Sequence, residues 1–528
     1  MNFSQKCVVL LLLTMAGLQA KGKLPSPCYL LELSSIGLPT AEKTKDARPI
    51  HDLIFFNDKL YIGYGDAVVN TGPTDIIYYD PAAKEFTTEF TIDEEALYYY
   101  QLINDKLMIP GIDATEEWNY GNFYILEDTG WVKYRTLPNA LHVNYLAWFH
   151  NKLYASIGAL AKMGENIEFA VGCIFCSSDT GKTWTLSYST PGDENRVYRI
   201  NALIVYKNRL FAFPYAYSGL GKKDIPEKYH NGLSEKPMSE GYYLILNDDL
   251  FGIYDVLVYD GKTWRCEDII PEEKVCYTSR LFIFKDRLLI PTLSGEYIDY
   301  LNRKKKIPPQ ASYTLWSYDG KNSKRVKLNF DRLLDVLVKE ELLYLLIERD
   351  GLYYIAKTEN LKKWEYFLVP PATAAPKSIE LKDTTFYIGT EDGNIFKTTA
   401  RKPIKTLKDA EDFMPKRIFG AAELPEDGKW YWVAITDWQV PDKLARFSAE
   451  VKFGNIIKIN TENISEMKVF PPRYHLTPDH DIMLIINNEV VYEGSIDDIK
   501  ELICERKEKD DEIIWEVKQN HETSEETE

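Results

Sequence analysis

The stretch HDLIFFNDKLYIG, residues 51–63, decides the fold. It reads as an apolar strand, a polar turn at Asn57 and Asp58, and a second strand opening at Leu60. The same phrase returns as YYYQLINDKLMIP, NYLAWFHNKLYAS, NALIVYKNRLFAF, SRLFIFKDRLLIP, LDVLVKEELLYLL and KSIELKDTTFYIG. Anchored on Leu60, Leu107, Leu153, Leu210, Leu288, Leu343 and Phe386, the repeats lie 47, 46, 57, 78, 55 and 43 residues apart.

That period is one four-stranded propeller blade, apart from insertions at residues 214–252 and 291–312. After each pair of strands comes a third strand, a tight turn and a fourth strand opened by an aromatic, as in IFCSSDTGKTW, VLVYDGKTW and IAKTENLKKW. The best-preserved turn, SSDTGKTW at 177–184, resembles the Asp-box (BNR repeat) of sialidase-like propellers. The resemblance implies that Asp179 accepts backbone hydrogen bonds, that Gly181 takes a conformation other residues resist, and that Trp184 packs between strands. In that family the turn is a structural staple away from the active face.

The seventh repeat ends at GNIFKTTA without a fourth strand, and CYLLELSS near the N-terminus has no partner of its own. Pairing the two removes both exposed edges. The expected fold class is therefore all-β, a seven-bladed β-propeller over residues 25–402 closed by an N-terminal strand. A linker helix is expected at 403–415, a small β-sandwich-like domain at 416–496, and an acidic helix with a disordered tail at 497–528. The text FGNIIKINTENISEMKVF followed by IINNEVVYEG resembles C-terminal modules of secreted bacterial hydrolases. YIGYGD, NTGPTDIIYYDP and PGIDATEEWNYGNFY resemble a group of exported bacterial propeller proteins without an established activity.

Composition narrows the partners. The 528 residues carry a formal net charge of −17, which argues against nucleic acid and anionic membrane surfaces. Residues 1–20 read as a signal peptide, Lys6 followed by a short apolar run ending at Ala20, so a secreted protein without membrane insertion of the mature chain is expected. Oxidising surroundings make Cys266 with Cys276, and Cys28 with Cys504, candidate disulfides. No G-x-S-x-G, P-loop or H-E-x-x-H motif is present, and neither a cofactor nor a metal is expected.

Propeller topology brings the starts of inner strands and the loops between second and third strands to one face. His51, His142 and Arg199 fall at inner-strand starts. Asp66, Asn70 and Asp75 belong to the corresponding loop of the first repeat, and Asp113, Glu116, Glu117 and Trp118 to that of the second. A tryptophan beside carboxylates suits a sugar ring seated over hydrogen-bonding groups. The favoured reading is a glycan or protein ligand bound on this face. The alternative is a sialidase-like glycoside hydrolase, in which Arg48, Arg199 and Arg280 would clamp an anionic sugar.

Overall fold

The computed structural model describes residues 24–521, apart from 164–165, 191–195, 219–254, 271–275, 278–280, 294–312, 371–373, 407–416, 423–428, 431, 441–442, 453–454, 473–475, 477–480, 496–498 and 510–511. The signal peptide, Arg280, most of both insertions and most of the expected linker helix lie outside the described residues. What is described is all-β, with one short 3-10 turn at Lys45–Ala47 and no α-helix.

Each repeat folds as an antiparallel meander, as its two-strand phrase and following turn require. In the first, Asp52–Phe56, Lys59–Gly63, Thr74–Asp80 and Glu85–Ile92 pair in chain order. The second joins Gln101–Ile103, Lys106–Pro110, Tyr120–Glu127 and Gly130–Pro138, and the third Ala140–Phe149, Lys152–Met163, Asn166–Ser177 and Thr185–Ser189. The fourth begins with Arg196–Tyr206 and Arg209–Ser218, and the sixth with Arg332–Lys339 and Leu342–Arg349. In the seventh, Pro376–Lys382, Thr385–Thr390 and Ile395–Pro403 are joined by Cys28–Gly37, antiparallel to Ile395–Pro403 and parallel to Glu365–Leu368. These meanders, packed face to face, make the chain a β-propeller.

The apolar clusters lie between neighbouring sheets, so a strand buries both faces, which is why KLYIG is a continuous apolar run. Leu60 and Ile62 pack toward Tyr387 and Ile395 of the seventh repeat, while Tyr61 packs toward Leu107, Tyr124 and Trp131 of the second.

Inner strands are laced by buried polar side chains. Asp52 Oδ2 accepts the Tyr100 N–H at 2.7 Å, Gln101 bonds both backbone groups of Leu146, and Asn144 donates to Ile200 O. Asp335 Oδ2 accepts from Ile379 N, and Glu380 Oε2 from Phe55 N, carrying the lacing from the seventh repeat to the first. Each bond satisfies a backbone group that no sheet ladder reaches.

The 177–184 turn is built as a staple. Asp179 accepts from the backbone and hydroxyl of Thr183, and these bonds, the hydroxyl's first, hold its carboxyl well below the usual carboxylate range. Trp184 Nε1 donates to Thr136 Oγ1, whose hydroxyl donates to Gly181 O, tying the turn to the second repeat. Asp80, Asp260, Asp319 and Asn360 recur in equivalent turns, each accepting two backbone N–H groups. Gly181 sits at φ +87°, and a Cβ there would stand 2.2 Å from Phe123 Cζ. Gly181→Ala is expected to cost roughly 1–3 kcal/mol through left-handed strain and overpacking, read as a lower denaturant midpoint at unchanged m.

The C-terminal region corrects the sequence reading. Two five-stranded sheets face one core that includes Trp432, Phe447, Ile457, Met467 and Leu484. In place of the acidic helix, Ile499–Lys509 and Glu512–His521 form a hairpin at the edge of the second sheet. Ile499, Leu502, Cys504 and Trp515 point into the core while Lys500, Lys507, Glu508 and Lys509 face water and Glu501 is buried against Lys468 and Asn520, so most of the charged text is the outer face of two strands. Cys28 and Cys504 are buried free thiols in different cores, so the expected bond between them is not present, while the side chain of Cys276, the expected partner of Cys266, lies outside the described residues.

Candidate functional site

In an antiparallel meander, the loops between second and third strands emerge at the end where inner strands begin. The Asp179 turn lies at the opposite end. On the first of these ends a relay of short pairings joins three repeats. Gly65 bridges to Ala96, Glu94–Ala96 pairs with Ile112–Ala114, and Ile112 pairs with His142 on the third inner strand.

The first-repeat residues mainly shape their loop. Asp66 Oδ1 accepts from Val68 N and Val69 N, turning the chain so that both valines face solvent. Asn70 is exposed at φ +54°, and Asp75 pairs with Lys43 and accepts from Thr91 Oγ1. The His51 Nε2 lies 3.1 Å from Gly65 O, and its ring meets Tyr98 edge-on at 5.1 Å. Tyr98 OH accepts from Ala67 N; burial first, and then the charges of Asp66 and Asp113, raise its phenol against the downward pull of that backbone bond.

The second-repeat residues divide. Glu116 is held by Lys133 and by Arg135 at 3.1 Å; burial acts upward on its carboxyl, but these cations keep it below the ordinary value. Arg135 also binds Glu117 O, and the Trp118 indole donates to Ala114 O at 3.2 Å. Asp113, at φ +56°, turns inward instead and places Oδ1 2.8 Å from His142 Nδ1. Nδ1 completes no hydrogen bond in this contact. Burial lowers the His142 imidazole, Asp113 opposes this, and Arg199 adds to it. Arg199 is 1% exposed. The structure thus brings Asp113, His142 and Arg199 together, with Tyr98 and His51 continuing the arc, and leaves Glu116, Glu117 and Trp118 on its outer side.

Sequence reasoning missed Glu94, 1% exposed beneath this loop. Its Oε1 accepts from Asn122 at 2.6 Å and Tyr124 at 3.1 Å, and Oε2 has no partner. Burial pushes its carboxyl up to about 8, against the pull of Asn122, Tyr124 and Lys133. The only available signal was a polar Asn122 within the apolar run YGNFYIL. Gly111 makes the room, since a Cβ there would meet Glu94 Cδ at 2.8 Å. A separate cavity of 450 Å³ lies along the inner strands, lined by Gln101, Leu102, Tyr145, Trp148 and Ile204, and none of the residues singled out for binding lines it.

Arg48 directs Nε to Lys43 O. Cys173 lies by Ser189 and is buried and free, as expected of a strand position.

No protein-family model and no curated protein sequence matches the chain. Among solved structures, virginiamycin B lyase from Staphylococcus aureus is similar over 71% of this chain and all of its own, at 11% identity and TM-score 0.41. A polysaccharide lyase of the ulvan lyase family covers 73% of this chain and all of its own, at 10% and 0.41. The WD40 propeller of Doa1 covers 71% and 97%, at 9% and 0.38. The fold assignment rests on the strand pairings above.

Proposed function

We propose that this chain is an exported, non-catalytic propeller of seven blades, closed by Cys28–Gly37 in the last sheet, that binds a glycan on the end bearing Asp113 and His142. The domain from about residue 416 serves as a docking or spacing module. The reading is carried by the continuous polar and aromatic arc from the Gly65 loop through Tyr98, Asp113 and His142 to Arg199, with Trp118 in the adjoining loop. Polar side chains beside an aromatic suit recognition of sugar hydroxyls and ring faces.

A glycan array with the purified protein tests the reading. Trp118→Ala is expected to weaken the strongest hit by roughly tenfold or more, as loss of an aromatic anchor does, while Val490→Ala on the exposed edge of the C-terminal domain leaves it unchanged. An array without hits, alongside a hit on a protein array abolished by Trp118→Ala, would keep the face and change the ligand to a protein. Glycan binding untouched by Trp118→Ala would move the site elsewhere.

A further inference from the structure

Resting on that reading, we infer that Arg199 and His142 form a seat for an anionic group of the ligand, a carboxylate or a sulfate- or phosphate-type oxyanion. A guanidinium offers five N–H donors in a planar fork and stays charged. Burying one is tolerable only when acceptors meet it. Arg199 is 1% exposed, yet its Nη1 has no hydrogen-bond partner. The neighbouring carboxylate, Asp113, is engaged with His142.

The surrounding backbone makes room for the guanidinium. A Cβ at residue 158 would stand 2.3 Å from Arg199 Nη1, 2.4 Å from Cδ and 2.7 Å from Cζ. Gly158 therefore leaves the space that the fork occupies. Gly158 is also the ladder partner of His142, which sets guanidinium and imidazole against the same stretch of backbone. The His142 and Asp113 side chains are 19% and 20% exposed, so the cluster opens to solvent on their side, with Arg199 behind them.

An incoming oxyanion supplies the acceptor that Arg199 lacks, in the charge-assisted geometry a guanidinium favours. His142 adds a second ring donor when its Nδ1–H is turned from Asp113 to the ligand. Asp113 acts in the opposite sense. Its charge competes for the seat and keeps it from being filled indiscriminately, so removing that charge strengthens anion binding. This sign separates an anion seat from a site where Asp113 orients ligand hydroxyls, because there the same substitution weakens binding.

The test follows the imidazole resonances of the full chain labelled with ¹⁵N-histidine, with His142 assigned by its loss in His142→Gln. Glucuronate, inorganic sulfate and inorganic phosphate are titrated in turn, with glucose as the neutral control at matched ionic strength. The expected result is a saturable shift of the His142 signal with at least one anion and none with glucose. Which anion acts identifies the source of the charge. Arg199→Gln and Gly158→Ala should abolish the shift, and Asp113→Asn should tighten binding by roughly tenfold, as removal of one nearby like charge predicts. If Arg199→Gln fails to fold, Arg199→Lys keeps the charge, loses the fork and should still weaken binding by about tenfold.

A His142 signal unmoved by all three anions, or moved equally in Arg199→Gln, overturns the inference. Loss of array binding in Trp118→Ala with no anion response leaves the glycan reading standing without the seat. An anion response in a protein that binds no glycan has the reverse meaning.

Discussion

Removal of Cys28–Gly37 is expected to abolish folding of the propeller as a cooperative unit. The strand supplies Leu30 to one core and Leu31 and Leu33 to the next, all nearly inaccessible to solvent. At about 1.5–3 kcal/mol for each buried leucine, the loss approaches the whole stability of an ordinary domain. It also uncovers the backbone of Ile395–Pro403, an invitation to intermolecular pairing. Size-exclusion chromatography and denaturant titration should show association and a broad, early transition. A synthetic peptide spanning residues 24–38 should restore the monomer when supplied during refolding. A deletion variant that stays monomeric and unfolds at the original midpoint would refute the closure.

Glu94→Gln is expected to produce the other large effect, as a gain. Burial holds the Glu94 carboxyl near 8 in the folded protein, against 4.5 for its ordinary value. A raised folded-state value means that folding takes up a proton. Its stabilising contribution is complete below 4.5 and disappears as pH rises through 8. Glutamine keeps an acceptor for Asn122 and Tyr124 and has no proton to lose. The variant should match the wild type in acid and exceed it above pH 8 by on the order of 3–5 kcal/mol. Denaturant melts across this window measure the difference. Parallel pH curves for the two proteins would show that Glu94 does not govern it.

The meanders were legible because Leu60 and its counterparts mark a turn whose spacing survives sequence drift. The unpaired GNIFKTTA also pointed to CYLLELSS, since an apolar strand without a partner must find one. The hairpin at Ile499–His521 was illegible for a physical reason: its outward charges outnumber its inward apolar residues, and period two is hard to tell from a helical stripe over so short a span. That these loops share one end of the inner strands was readable through loop topology, whereas the pairing of their side chains was not. Nothing in the text distinguishes Asp113, which turns onto His142, from Glu116, which turns onto Lys133 and Arg135. Glu94 was hidden because a carboxylate in DEEAL ordinarily reads as solvated surface.

The pairing of Cys28–Gly37 with Ile395–Pro403 also orders events during synthesis. Ser35 Oγ donates to Asn394 Oδ1 across 359 residues of chain, so a strand made early waits for one of the last strands of the ring. Until then both strand edges are open, and every intermediate length of the ring is unfinished. Joining distant segments late slows folding and leaves sticky species exposed for longer. Under the export proposed above, this delay would be useful: a ring that cannot lock before its last repeat exists would remain threadable through a translocation channel, and would lock only after Ile395–Pro403 had also crossed.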